Sequence, residues 1–85
     1  MHAPFPNPST RQATIRYEVP ESLRGTVDIA VYDVLGRRVE TVVNGPVSAG
    51  REQRTVQTGQ WAPGVYFVRM QLGDTVYTER ISVVR

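Results

Sequence analysis

Apolar and polar residues alternate along most of the 85-residue chain, with the period of two that is typical of β-strands. The alternation is clearest after Pro63-Gly64, where every second residue from Tyr66 to Leu72 is apolar. Pro presets φ and Gly tolerates a positive φ, so this dipeptide predicts a sharp corner before the strand. Trp61 precedes the corner and is placed to plug one end of the core. The Tyr66 hydroxyl is expected to bond back to nearby backbone.

Five other segments carry strand patterns, namely residues 13–19, 26–32, 38–43, 52–58 and 75–84. Asp33 and Gly36 predict a hairpin connection, because Asp can bond amides two residues on and Gly suits a left-handed position. Gly73-Asp74 predicts a two-residue hairpin turn, and residues 44–46 are expected to open a loop. The segment 52–58 is mostly polar, which favours a place at a sheet edge.

The fold class that these patterns predict is an all-β antiparallel sandwich of six to seven strands, immunoglobulin-like or fibronectin-like in size. No segment has helical periodicity. We expect the sandwich to span residues 13–85. Residues 1–12 are expected to form an extended arm or linker end, because three of the six prolines lie there. Phe5 is its only large apolar group and is expected to anchor the arm.

Composition excludes several classes of protein. At 40% hydrophobic, the chain has no apolar run near the roughly 20 residues of a membrane-spanning helix. The absence of cysteine excludes disulfides and thiolate metal sites. All ten basic residues are Arg, but eight acidic residues leave a net charge of only +2. Because the arginines are spread over the chain, a nucleic-acid partner is not expected.

The chain has few residues with which to build a reaction centre. Its only histidine is His2, near a terminus, and no base is placed beside a nucleophile. Asp33 and Asp74 are explained as turn residues, and the glycines occur singly and not in phosphate-binding loops. We therefore predict no enzyme activity, no catalytic or metal-binding residues, no cofactor and no small-molecule substrate. A weak calcium site built from scattered Asp side chains and carbonyl oxygens remains an alternative hypothesis.

The aromatic residues suggest one binding function. Trp61 and the tyrosines could form a sugar-stacking platform, although Tyr17, Tyr66 and Trp61 are expected in the core. An accessory module that binds polysaccharide or protein for a multidomain secreted enzyme is therefore the second hypothesis. An exposed aromatic strip would favour it.

Three motifs occur in order along the chain. The first is Pro6-Asn7-Pro8-Ser9, which is followed by Thr14-Ile15-Arg16-Tyr17. The second runs from Val31 to Val39. The third runs from Pro63 to Arg69 and is followed by residues 81–85, an apolar segment that ends in Arg85. In this order and spacing the chain resembles the type A C-terminal sorting domain of proteins exported by the type IX secretion system of Bacteroidetes-like bacteria. It is also similar to the Ig-like domain of the flagellar hook-capping protein.

The resemblance implies a non-catalytic targeting role at the end of a larger secreted cargo protein. Such a domain is recognised by an outer-membrane translocon after the cargo has reached the periplasm. A surface sortase then commonly cleaves it, and the cargo is joined to anionic lipopolysaccharide at the cell surface. By position, the sorting motifs fall on the following residues: Pro6, Asn7, Pro8, Asp33, Gly36, Gly64, Tyr66, Arg80, Ile81, Val83, Val84 and Arg85.

Two features depart from the family pattern. Trp61 stands where the family usually has Leu, and Arg80 and Arg85 stand where Lys is common. A receptor that reads only positive charge would accept either cation, whereas a bidentate site would distinguish them. The motif residues also have structural explanations, since any sandwich needs hairpins, corners and a core. Segment 52–58 and the C-terminal strand are both candidate edges for self-association.

Overall fold

The computed structural model describes residues 1–85 and contains six β-strands. Their bounds are β1 Gln12–Val19, β2 Thr26–Asp33, β3 Arg38–Pro46, β4 Gly50–Gln57, β5 Gly64–Leu72 and β6 Thr75–Val83. No helix in the structure has the length and apolar character needed to cross a membrane.

The strands form two sheets, one with the order β1-β4 and one with the order β3-β2-β5-β6. Every pairing between the strands is antiparallel. The two sheets bury a shared apolar core, as two packed layers must. The predicted all-β antiparallel sandwich is thereby confirmed. The polar strand β4 pairs only with β1, so it is an edge strand as predicted.

The core is built from the inward face of each alternating strand. Ile29 at the centre of β2 and Met70 on β5 are neighbours in register and almost completely buried. The cluster joins both sheets and contains Ala13, Ile15, Tyr17, Val19, Val27, Ile29, Val31, Val56, Tyr66, Val68, Met70, Leu72, Ile81 and Val83. Trp61 is half-buried and packs against this cluster, which confirms that it contributes to the core.

Strand β3 runs further than the sequence pattern predicts. Residues 44–46 were expected to open a loop, but they continue β3 in register with β2, as far as Pro46 opposite Thr26. Proline is tolerated here because β3 is an outer strand of its sheet and Pro46 is its last residue. The turn at Gly73-Asp74 joins β5 to β6 as predicted, with Gly73 at φ 60°.

The N-terminal arm lies against the sandwich. Phe5 exchanges backbone hydrogen bonds with Thr14 in β1, and the Arg16 guanidinium lies 4.7 Å from the centre of the Phe5 ring. The ring itself is 43% exposed. Phe5 therefore anchors the arm through its backbone and a cation–π contact, and its burial contributes little.

Candidate functional site

The predicted motif residues meet at one end of the sandwich. The end of β2, the start of β5 and the end of β6 lie side by side in the sheet. Asp33 is in register with Tyr66, and Tyr66 is in register with Ile81. Gly64 is in register with Val83 on the same strands. The hairpin loop 33–37, the corner 61–66 and the end of β6 are therefore neighbours, although they are far apart in sequence. We call residues 6–9, 33–37, 61–66 and 80–85 together the motif end.

Asn7 attaches the arm to the outer edge of β6. Its side-chain Nδ2 donates to the carbonyl oxygen of Arg80 at 3.1 Å, and its Oδ1 accepts from the backbone N–H of Ser82 at 3.0 Å. A side-chain amide has the same donor and acceptor as a peptide group, so Asn7 occupies the place of a neighbouring strand residue. The PNP motif and the end of the last strand thus form one joint.

Ser9 extends this joint by one residue. Its N–H donates to the carbonyl oxygen of Ser82 at 2.8 Å, and its carbonyl oxygen accepts from the N–H of Val84 at 2.9 Å. Together these contacts form a short parallel bridge beside Val83. The arm therefore covers the edge of β6 from Arg80 to Val84.

The side chain of Ser9 closes the arm over the core. Its Oγ donates to the carbonyl oxygen of Gln12 at 2.9 Å and lies 2.6 Å from Oγ1 of Thr58. Both hydroxyl-bearing residues are completely buried, and no buried side-chain polar atom lacks a partner. The sequence predicted the burial of neither residue, although Ser9 ends the first motif. Thr58 lies two positions after the inward-facing Val56, which is a usable signal, whereas nothing in the pattern marks Ser9.

Tyr66 fixes the corner before β5. Its hydroxyl donates to the carbonyl oxygen of Ala62 at 2.6 Å, so the expected hydrogen bond to nearby backbone is present. The Trp61 ring lies 5.0 Å from the Tyr66 ring at an interplanar angle of 44°. Because Tyr17 and Tyr66 are buried and Trp61 packs on the core, none of these three rings is free for sugar stacking.

The Asp33 carboxylate organises the hairpin loop between β2 and β3. It accepts from the N–H of Arg37 at 3.0 Å, from the Arg37 Nε at 2.9 Å and from the N–H of Leu35 at 2.9 Å. The backbone bond from Arg37, followed by its side chain and the Leu35 amide, holds the pKa of the Asp33 carboxyl below its usual value. Gly36 has φ 81°, a left-handed conformation that a residue with a Cβ adopts at a cost.

Two cations at the motif end have no carboxylate partner. The three Arg–carboxylate ion pairs of the structure join Arg37 to Asp33, Arg38 to Asp28 and Arg54 to Glu52. Arg80 and Arg85 are exposed and belong to none of them. Pro6 and Pro8, on either side of Asn7, are exposed as well. The motif end therefore presents prolines and free guanidinium groups around the joint between the arm and β6.

The rest of the surface offers little chemistry. An open groove of about 550 Å³ lies on the β1–β4 sheet and is lined by both basic and acidic groups. Within it, His2 Nε2 lies within hydrogen-bond distance, 3.1 Å, of Glu18 Oε1. That contact lowers the pKa of Glu18. No group of three or more His, Asp or Glu residues could hold a metal ion.

Replacing Asn7 by alanine is expected to lower the free energy of unfolding by about 1–2 kcal/mol, because two hydrogen bonds of roughly 0.5–1.5 kcal/mol each are lost. Urea denaturation measures the change. Gln60→Ala is the matched control, since Gln60 is an exposed amide with no side-chain hydrogen bond. Equal stability of the two variants would show that Asn7 does not hold the arm.

Comparison with known proteins gives one match. The model of a family described as the secretion system C-terminal sorting domain matches residues 3–84. Neither a curated protein nor a solved structure matches the chain.

Proposed function

The chain belongs to the secretion system C-terminal sorting domain family, and from this premise we propose that the secretion machinery recognises it at the motif end. Domains of this family are sorting signals for type IX secretion. The chain therefore directs the protein that carries it across the outer membrane, to the cell surface or into the medium. The family is not known as catalytic, and we propose that this member has no enzyme activity.

The observation that carries the proposal is the joint between the arm and β6. Asn7 and Ser9 bind the outer edge of β6 from Arg80 to Val84. Two motifs at opposite ends of the chain therefore act as a single surface. A receptor that contacts this joint therefore touches residues of both motifs at once.

We assign the roles at the motif end by exposure. The exposed groups Pro6, Pro8, Arg80 and Arg85 are the contacts for an outer-membrane translocon, since a free guanidinium is a strong donor to carboxylates. The buried residues Ile81, Val83 and Tyr66 hold these contacts in place. Asn7 and Val84 join the two segments, while Asp33, Gly36 and Gly64 shape the adjoining turns.

We further propose that a surface sortase cuts on the N-terminal side of the sandwich. The arm is the natural place for this cut, because a protease needs exposed backbone. Residues 6–8 are exposed and make no backbone–backbone hydrogen bond, whereas Phe5 and Ser9 on either side of them are paired with the sandwich.

An export assay in a host that has the type IX machinery tests the proposal. A reporter carries the chain at its C-terminus, either intact, as Arg80→Gln plus Arg85→Gln, or as Arg24→Gln plus Arg51→Gln. The second pair is the matched control, because Arg24 and Arg51 are exposed, lie in no ion pair and are outside the motif end. We expect the intact and control fusions at the cell surface and the first pair in the periplasm.

Folding must be measured alongside export. Circular dichroism and resistance to protease show whether each variant keeps the sandwich. If a folded Arg80 and Arg85 variant is exported as well as the control, the motif end is not the surface that the machinery reads. If even the intact fusion remains in the periplasm, the proposal fails, because the chain does not act as a sorting signal on the reporter.

A further inference from the structure

Two apolar side chains stand in solvent at the tip of the hairpin loop 33–37. Val34 and Leu35 are 67% and 73% exposed, more than any other large hydrophobic residue of the chain. Neither belongs to the core cluster or to the residues packed against it. The fold therefore gains little burial from either residue. The two adjacent aliphatic side chains form a small apolar patch whose burial by a partner would be favourable.

The loop that carries them is held in one shape before any partner binds. Three hydrogen bonds to the Asp33 carboxylate and one from the Gly36 N–H to the Asp33 carbonyl oxygen fix its path. The N–H of Asp33 also donates to the carbonyl oxygen of Arg37 at 3.0 Å. Because little backbone freedom remains to be lost, contacts made by the tip would be converted efficiently into affinity.

The charges beside the tip are already neutralised within the chain. Arg37 Nε lies 2.9 Å from Asp33, and Arg38 lies 3.3 Å from Asp28 and over the ring of Tyr32. Lipid headgroups attract free Lys or Arg side chains. The free Arg80 and Arg85 lie on or just after β6, at the opposite edge of the four-stranded sheet from β3, so the loop itself offers no free cation. Two aliphatic groups alone bind a bilayer only weakly. A neutral, rigid apolar tip instead matches an uncharged apolar pocket of a protein.

We propose that Val34 and Leu35 insert into an uncharged apolar pocket on the outer-membrane translocon. The identity of this partner rests on the proposed function above. The motif residues Asp33 and Gly36 then build the loop, and the two residues between them make the contact. The tip projects from the same end of the sandwich as the arm–β6 joint, so one receptor can reach both.

Single-residue variants of the export reporter test this proposal. Leu35→Thr is compared with Val76→Thr, because Val76 is 46% exposed on β6 and receives the same new residue away from the loop. Full burial of a Leu or Val side chain is worth roughly one to two decades in an equilibrium constant. We therefore expect Leu35→Thr to reduce export about tenfold at limiting receptor, a Val34→Thr plus Leu35→Thr pair to reduce it further, and Val76→Thr to leave it unchanged.

Photo-crosslinking identifies the surface that the tip meets. A benzoylphenylalanine at position 35, compared with one at position 76, is expected to yield a product with a translocon subunit. Sedimentation of the purified chain with vesicles of phosphatidylethanolamine and phosphatidylglycerol tests for a lipid partner. Binding to these vesicles that Leu35→Thr abolishes would overturn the protein pocket in favour of the membrane.

The export results separate this proposal from the one on which it rests. If the intact fusion is exported and the folded Leu35→Thr variant is exported equally, the tip contact is wrong while the sorting function stands. If the intact fusion is not exported at all, both proposals fail. A selective loss of export in the loop variants, together with the crosslink at position 35, supports the pocket.

Discussion

Replacing Ile81 by alanine is expected to lower the free energy of unfolding by about 2–5 kcal/mol. Ile81 is 2% exposed, lies in register with Tyr66 and packs in the cluster that joins the two sheets. The substitution removes buried methyl groups and leaves a cavity that the antiparallel strands cannot close. For a domain of this size, such a loss is a large part of the total stability. Denaturation in urea, followed by circular dichroism, measures it.

Val76→Ala is the control for this prediction, because Val76 lies on the same strand but is 46% exposed and outside the core cluster. Its effect is expected to stay within roughly 0.5 kcal/mol, as for most surface substitutions. A similar cost for both variants would show that β6 is not a core strand. The result also governs export experiments, since a chain trimmed of residues 81–85 loses both Ile81 and Val83. If the chain that lacks residues 81–85 is not exported, the cause can be unfolding as well as the loss of the sorting signal.

Replacing Trp61 by alanine is expected to cost about 2–4 kcal/mol of unfolding free energy. Full removal of a buried Trp costs roughly 3–5 kcal/mol, and Trp61 is only half-buried. The variant loses the packing of the indole on the core and its contact with the Tyr66 ring, 5.0 Å away. The corner that holds the start of β5 would also lose its cover. Thermal and urea unfolding followed by circular dichroism give the change without depending on the lost fluorophore.

A comparison of Trp61→Leu with Trp61→Ala separates the effect of apolar volume at this position from the effect of the indole ring itself. Leucine is the residue expected at this position from the family resemblance, and it restores part of the apolar volume. We expect it to recover at least half of the stability that the alanine variant loses. If leucine and alanine cost the same, the indole acts through its specific contact with Tyr66 and not through its volume.

The sequence predicts the strands well because their signal is local. Alternation of apolar residues in β1, β2 and β5 identified the faces that form the core, and Asp33 and Gly36 identified a hairpin whose hydrogen bonds match the expectation. The corner at Pro63-Gly64 and the hydrogen bond of Tyr66 were likewise predictable from neighbouring residues. Such features depend on side chains that are close in sequence.

The arm–β6 joint was not predictable in the same way. Asn7 reads as part of a proline-rich linker, and only the folded chain shows that its amide bonds two backbone groups of β6. The burial of Ser9 against Thr58 is equally hidden, because a small polar residue among prolines carries no periodic signal. The extension of β3 through Pro46 escaped prediction because tolerance of proline depends on which strand lies at the sheet edge.

The assignment of individual sorting residues remains a prediction. The resemblance names twelve positions, and the structure brings them to one end of the sandwich. The boundary between an arm of residues 1–12 and a sandwich of residues 13–85 also stays a prediction. The hydrogen bonds of Asn7 and Ser9 show that the arm is attached to the sandwich.

The joint between arm and β6 has a kinetic consequence. Its side-chain hydrogen bonds connect residues that are 73 and 75 positions apart, close to the full length of the chain. Contacts between such distant residues carry the largest loop-closure entropy and are slow to form until the intervening strands are in place. The joint is therefore expected to be completed late in folding. A translocon that binds the joint would therefore bind folded domains and not incompletely folded chains. The same contact would then select both for the sorting signal and for completed folding.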